Sequence, residues 1–180
     1  MQVRYSLALA ALVGASALPV SSAWAAGLSL NVEIPRLNVA EYHRPYVAMW
    51  IEKPDNTVPA TLAVWYDMRN KGNADGEGTK WLKDMRQWWR RAGRNLDMPV
   101  DGIASATRPA GKHQLAFTEG ASVALPKLAP GAYTLYVEAA REVGGREILS
   151  LPFQWPPAKP ETASVAGSSE LGEIRLDLIP

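Results

Sequence analysis

The alternation of apolar and polar residues constrains this chain more than any other feature. Gly27–Ile34 (G-L-S-L-N-V-E-I) and Glu173–Ile179 (E-I-R-L-D-L-I) place every second residue on one apolar face, the period of a half-buried β-strand. Arg44–Glu52, Ala60–Tyr66, Lys112–Phe117, Ala121–Leu125, Tyr133–Glu142 and Arg146–Trp155 add short runs of strand-forming composition. Pro54-Asp55-Asn56 makes a turn after the second run, and Gly144-Gly145 closes a hairpin between the two before the last. Pro156 through Ser169, rich in proline, alanine and serine, reads as an exposed loop. Eight or so strands with no βαβ rhythm predict a mainly β protein, an antiparallel sandwich. Leu128-x-Pro130-Gly131-x-Tyr133 adds the spacing of a tyrosine corner, which makes the expected sandwich immunoglobulin- or fibronectin-like. In such a corner the phenol hydroxyl bonds back to the preceding loop.

One stretch breaks the period. Trp81, Leu82, Met85, Trp88, Trp89, Ala92 and Leu96 recur at helical spacing, and Lys80, Lys83, Arg86, Arg90, Arg91 and Arg94 occupy the remaining surface. Thr79 suits an N-cap, Gly93 a C-terminal stop, and Pro99 ends the run. The spacing predicts one amphipathic helix inserted near 80–96. In the simplest reading the tryptophans cover the sandwich and the arginine stems lie over them. In a second, Trp88, Trp89, Arg86, Arg90, Arg91 and Arg94 form an interaction surface for an anionic partner or a membrane face. In a third, the same residues stack on and neutralise a phosphate-bearing aromatic cofactor.

Met1–Ala25 has the layout of a secretory signal: a basic Arg4, an apolar Leu7–Leu18, and Ala23-Trp24-Ala25 before the cleavage point. The expectation is an exported chain, 26–180 forming one β domain, with no membrane span after cleavage. Without Arg4, 18 basic and 18 acidic residues remain, so a globally basic nucleic-acid binder is excluded. The sequence has no cysteine, which rules out disulfides, thiol catalysis and thiolate-ligated metals.

No complete catalytic motif is present. His43 and His113 lack metal-ligand spacing, Ser21, Ser22, Ser105, Ser168 and Ser169 lack a nucleophile elbow, and no phosphate-cradling glycine loop occurs. Asp67, Asp97 and Asp101 sit near turns, where aspartate ordinarily bonds local backbone amides. The reading is of a protein that is not an enzyme, with no metal and no resident cofactor. Asp101–Arg108 (D-G-I-A-S-A-T-R) stands apart, because its small residues leave the backbone and the Thr107 hydroxyl open to a bulky partner.

Several segments are similar to a family of bacterial periplasmic proteins known as domain of unknown function 2271. They are V-W-Y-D at Val64–Asp67, K-W-L-K-D at Lys80–Asp84, R-Q-W-W-R-R-A-G at Arg86–Gly93, and the D-G…A-T-R-P-A-G of Asp101–Gly111. P-G-A-Y-T-L at Pro130–Leu135, E-A-A-R-E-V-G-G-R-E at Glu138–Glu147 and P-F-Q-W-P-P at Pro152–Pro157 extend the resemblance over nearly the whole mature chain. It implies a periplasmic accessory or interaction module serving a membrane redox or metal-uptake system, with a PepSY-type membrane protein or a flavin transferase as partner. Such transferases esterify FMN to a threonine in a loop resembling D-x-x-[ST]-G-A-[ST]. Asp101, Ala106 and Thr107 match it, while Ala104 stands in place of Ser or Thr and Ser105 in place of Gly. The alternative implied function is therefore an electron carrier with covalent FMN on Thr107, Asp101, Ser105 and Arg108 completing the site.

Overall fold

A computed structural model describes residues 26–68, 78–118 and 127–180. The expected signal segment Met1–Ala25 and the expected strand Ala121–Leu125 lie outside these residues.

Among the described residues nine strands form two sheets. They are β1 (Gly27–Ile34), β2 (Tyr46–Glu52), β3 (Ala60–Tyr66), β4 (Ala104–Ala106), β5 (Gly111–Thr118), β6 (Gly131–Ala140), β7 (Arg146–Trp155), β8 (Glu161–Ala166) and β9 (Glu173–Ile179). One sheet has the order β5-β1-β9-β8 and the other β4-β3-β2-β6-β7. The alternating residues of β1 and β9 (Leu28, Leu30, Val32, Ile174, Leu176, Leu178) bury against Val47, Met49, Ile51, Leu135, Val137, Leu151 and Phe153 of the opposite sheet. The molecule is thus mainly β, two sheets sharing one apolar core. Pairing is antiparallel except for β4, which runs parallel to β3 with Val64 opposite Ala104 and Tyr66 opposite Ala106. The stretch after Pro156 contains β8, an edge strand paired to β9, so it is not the simple loop expected from its composition.

The central strands β2 and β3 of the five-stranded sheet are buried on both faces. The sheet's second face carries Ala48, Trp50, Val64, Tyr66 and Ala140, covered by Leu82, Met85 and Trp88. That explains the near-continuous burial of β2 and β3. A bulge between Met49 and Trp50 in the pairing of β2 with β3 skips Leu62, so Leu62 and Ala63 both face the inter-sheet core while Val64 returns to the other side.

The covering layer is not the single helix expected near 80–96. It consists of a 3₁₀ turn at Thr79–Asp84, a short helix α1 at Arg86–Arg91 and a second 3₁₀ turn at Gly93–Asn95. Thr79 is the first residue of its turn and not an N-cap. Two buried carboxylates from the sheet account for the break. Glu138 on β6, fully buried, accepts the backbone N–H of Gln87 at 3.0 Å and of Trp88 at 2.8 Å, supplying the cap that α1's own sequence lacks. Glu52 on β2 accepts the Trp50 indole at 2.8 Å and lies 3.5 Å from Arg91 Nε at the far end of α1. Gly93 then lets the chain pass over Trp88, whose ring would stand 2.7 Å from any Cβ there. Tyr133 is buried, and its hydroxyl donates to Ala129 O at 2.7 Å, the bond expected of a tyrosine corner.

Candidate functional site

Where the covering layer ends, the five-stranded sheet is left open among the described residues. The C-terminal ends of β3, β4 and β6 and the start of β2 meet there, with the Thr79–Asp84 turn as one wall. Tyr46 pairs with Ala140 and Tyr66 with Ala106, so each ring has an alanine as its cross-strand neighbour. Those small side chains leave the space between the aromatics unfilled. The result is a cleft of about 830 Å³ whose aromatic lining is Tyr42, Tyr46, Tyr66 and Trp81. Tyr46 and Tyr66 meet edge to face with centroids 6.3 Å apart. Trp81 and Tyr42 are 44% and 38% exposed, which is unusual in a chain that buries Trp50, Trp65 and Trp88 completely or almost so.

Charged groups ring the same cleft. His43 Nε2 is 2.8 Å from Glu41 Oε1, and its Nδ1 is 3.6 Å from Glu142 Oε2. Asp67, Asp84, Arg44 and Arg141 complete the lining. Burial raises the Tyr66 phenol above its ordinary pKa of 10.0. Val143, also at the rim, has φ 52° and is 75% exposed. A β-branched residue in the left-handed region is strained, and such strain concentrates at working sites.

Of the residues marked in the Asp101–Arg108 stretch, Ala106 and Thr107 line the cleft, and the Thr107 N–H donates to Tyr66 O at 3.2 Å. The others serve the fold. Asp101 accepts from Gly102 N–H at 3.0 Å, Ser105 lies inside β4 opposite Trp65, and the Arg108 guanidinium sits 5.5 Å from the Trp65 ring centroid. Within the expected open loop, Ala104–Ala106 is therefore an edge strand.

The expected interaction surface on the covering layer also divides. Trp88 is completely buried, its indole donating to Thr61 Oγ1 at 3.3 Å, and it cannot meet a partner or a ring. Arg91 bonds Asn56 Oδ1 at 2.9 Å and pairs with Glu52. Arg86, Arg90 and Trp89, with Lys83 and Arg146, line a second, shallower groove, and Arg94 is exposed. Among the described residues no group of three or more His, Asp and Glu side chains could hold a metal ion. No helix among them is long and apolar enough to cross a membrane.

The fold and the cleft together define a β-sandwich protein with a helical cover over one sheet and a recessed aromatic site where the cover stops. The family model described as predicted periplasmic protein (domain of unknown function 2271) matches residues 27–173, and the chain belongs to that family. The protein is periplasmic accordingly. No curated protein and no solved structure matches the chain.

The cleft itself went unread in the sequence. Tyr42, Tyr46, Tyr66, Trp81 and Arg141 come from separate segments, and only the sheet's strand order brings them together. Thr107, in the small-residue stretch Asp101–Arg108, is the lining residue that the sequence singles out, while Trp81 reads as part of the helical stripe and lies outside the core.

Proposed function

We propose that the protein is a non-enzymatic binding module of the periplasm and that its working surface is the aromatic cleft. The observation that carries this reading is the convergence of four aromatic side chains on one cleft of about 830 Å³, large enough for a small organic ligand. The histidines favour binding over catalysis: His43 is directed to Glu41 and Glu142, and His113 bonds Pro109 O, so among the described residues neither is bonded to a hydroxyl nucleophile. The Tyr133–Ala129 corner supports reading the sandwich as immunoglobulin- or fibronectin-like. Service to a membrane redox or metal-uptake system, with a PepSY-type partner, is the setting that the family resemblance favours. Protein purified from its native periplasm and examined by native mass spectrometry is expected to carry a small molecule that Trp81→Ala loses. Apo mass in both proteins would overturn the reading.

A second reading is favoured by the place of Thr107 in the cleft wall: an electron carrier with FMN esterified to its hydroxyl. Bound there, the flavin would supply one- and two-electron transfer. Trp81, exposed on the cleft wall, offers a ring to stack on it, whereas Trp88 is buried. Co-expression with a periplasmic flavin transferase should then add the mass of one FMN less water, and Thr107→Ala should abolish the gain. A colourless product of unmodified mass, beside a control substrate that labels fully, removes this reading.

A further inference from the structure

Arg141 follows β6 and lines the cleft. Its side chain is only 6% exposed and its partner Glu170 only 5%. The pair is bidentate, with Nε donating to Glu170 Oε2 at 2.8 Å and Nη2 to Oε1 at 3.1 Å. Gly145 N–H adds a third donor to the same carboxylate at 2.8 Å. Gly144 packs directly against the guanidinium, where a Cβ would clash with its Nη2 and Nε. The side chain is therefore fixed in place. Yet its remaining nitrogen, Nη1, is buried with no hydrogen-bond partner among the described residues. A buried cationic donor without an acceptor carries an uncompensated desolvation cost, which a fold retains when something else completes the bond.

We propose that the cleft binds a small planar aromatic carboxylate, its ring against Trp81 and the tyrosines and its carboxylate accepting from Arg141 Nη1. This rests on the binding-module reading above and names the ligand class. Aromatic walls favour a flat π-system, and a guanidinium fork already committed on one edge has room for a single acceptor group on the other. Arg44 at the rim adds positive charge. Asp84 and Glu142 stand on the same walls, so a group carrying two negative charges is repelled while a monoanion is tolerated. Tyr42 and Val143 are exposed residues lining the same cleft, so reaching Nη1 needs only side-chain rotation at the surface.

Calorimetric titration of the full mature protein with benzoate, indole-3-acetate, methyl benzoate, phenyl phosphate and benzylamine tests this. The acids are expected to bind at least about tenfold more tightly than the ester, the phosphate and the amine. Arg141→Lys keeps a cation for Glu170 but removes Nη1, and should weaken the acids by about the same factor. Because that change disturbs a buried pair, Arg141→Met/Glu170→Met provides a second variant that replaces the pair with apolar packing. It should show the same loss with unchanged circular dichroism. Ester or phosphate binding as tight as the acids, or full acid affinity in both folded variants, overturns the proposal. If none of the probes binds while the natively purified protein still carries a Trp81-dependent ligand, the carboxylate assignment fails and the binding-module reading stands. If neither is seen, both fail.

Discussion

At the scale of single residues, Val143 stands out because a β-branched side chain sits on a left-handed backbone. It occupies the left-handed region at φ 52° in the turn between β6 and β7, with its side chain in solvent. Asparagine tolerates that region far better, so Val143→Asn should stabilise the protein by about 1 kcal/mol. Chemical denaturation would show it as a raised midpoint at unchanged slope, and a lowered midpoint would mean that Val143 makes a contact worth more than its strain. Tyr133 behaves oppositely. Its ring stacks on Phe153 and its hydroxyl bonds Ala129 O, so Tyr133→Phe keeps the packing and loses one buried hydrogen bond. The expected cost is about 1 kcal/mol or slightly more in equilibrium unfolding. An unchanged stability would show that the phenol is equally well solvated in the unfolded chain. The corner was legible beforehand because its motif is local, six residues with a proline and a glycine at fixed places. Arg141 was not, since its meaning depends on Glu170, which lies 29 residues away.

At the scale of elements, the covering layer shows where periodicity succeeds and where it stops. The apolar stripe of Leu82, Met85 and Trp88 correctly marked a face that packs on the sheet. The break into three short turns follows from Glu138 and Glu52, which reach across from β6 and β2 and are invisible to a local pattern. Strand β4 was missed for a related reason: A-S-A has no period to read, and its pairing with β3 is a backbone matter. β1 and β9, which face solvent on one side, were read to the residue, because alternation survives only where one face is wet. The layer's energetics follow from this packing. Trp88→Ala removes a fully buried ring wedged against Gly93 and should cost about 3–5 kcal/mol. Arg90 is exposed and, among the described residues, bonds the Arg86 carbonyl of its own helix, so Arg90→Glu should change stability by no more than about 0.5 kcal/mol. Thermal unfolding of both variants decides the matter, and equal losses would make the cationic surface part of the fold.

For the whole molecule, carboxylates that tie distant loops together set the response to pH. Glu147 on β7 gathers the segment between β8 and β9, accepting the N–H groups of Ser168, Ser169, Glu170 and Leu171 and both serine hydroxyls at 2.7–3.1 Å. Burial alone would raise its pKa, but these donors together outweigh burial and hold it at about 2, against an ordinary 4.5. Asp177 on β9 is lowered too, by Arg175 first and then Thr162, with burial opposing. A depressed pKa means that the folded state holds the proton less tightly than the unfolded chain. The contribution of Glu147 is therefore complete above about pH 4.5, declines as pH falls, and is gone below about 2. Tyr66 acts at the other limit. Its raised pKa favours the neutral phenol in the fold, so its contribution holds below pH 10.0 and is lost as pH rises through the folded value. These three groups leave a plateau between the acid and alkaline limbs. Glu147→Gln should lower stability on that plateau by about 1–2 kcal/mol, since partial exposure weakens the loss, and should flatten the acid limb. Tyr66→Phe should leave the acid limb intact and flatten the alkaline one. Denaturant midpoints measured from acid to alkali for the three proteins decide this. If Glu147→Gln loses stability below pH 4.5 as steeply as the wild type, the anchor of the β8–β9 segment is not the source of the acid sensitivity.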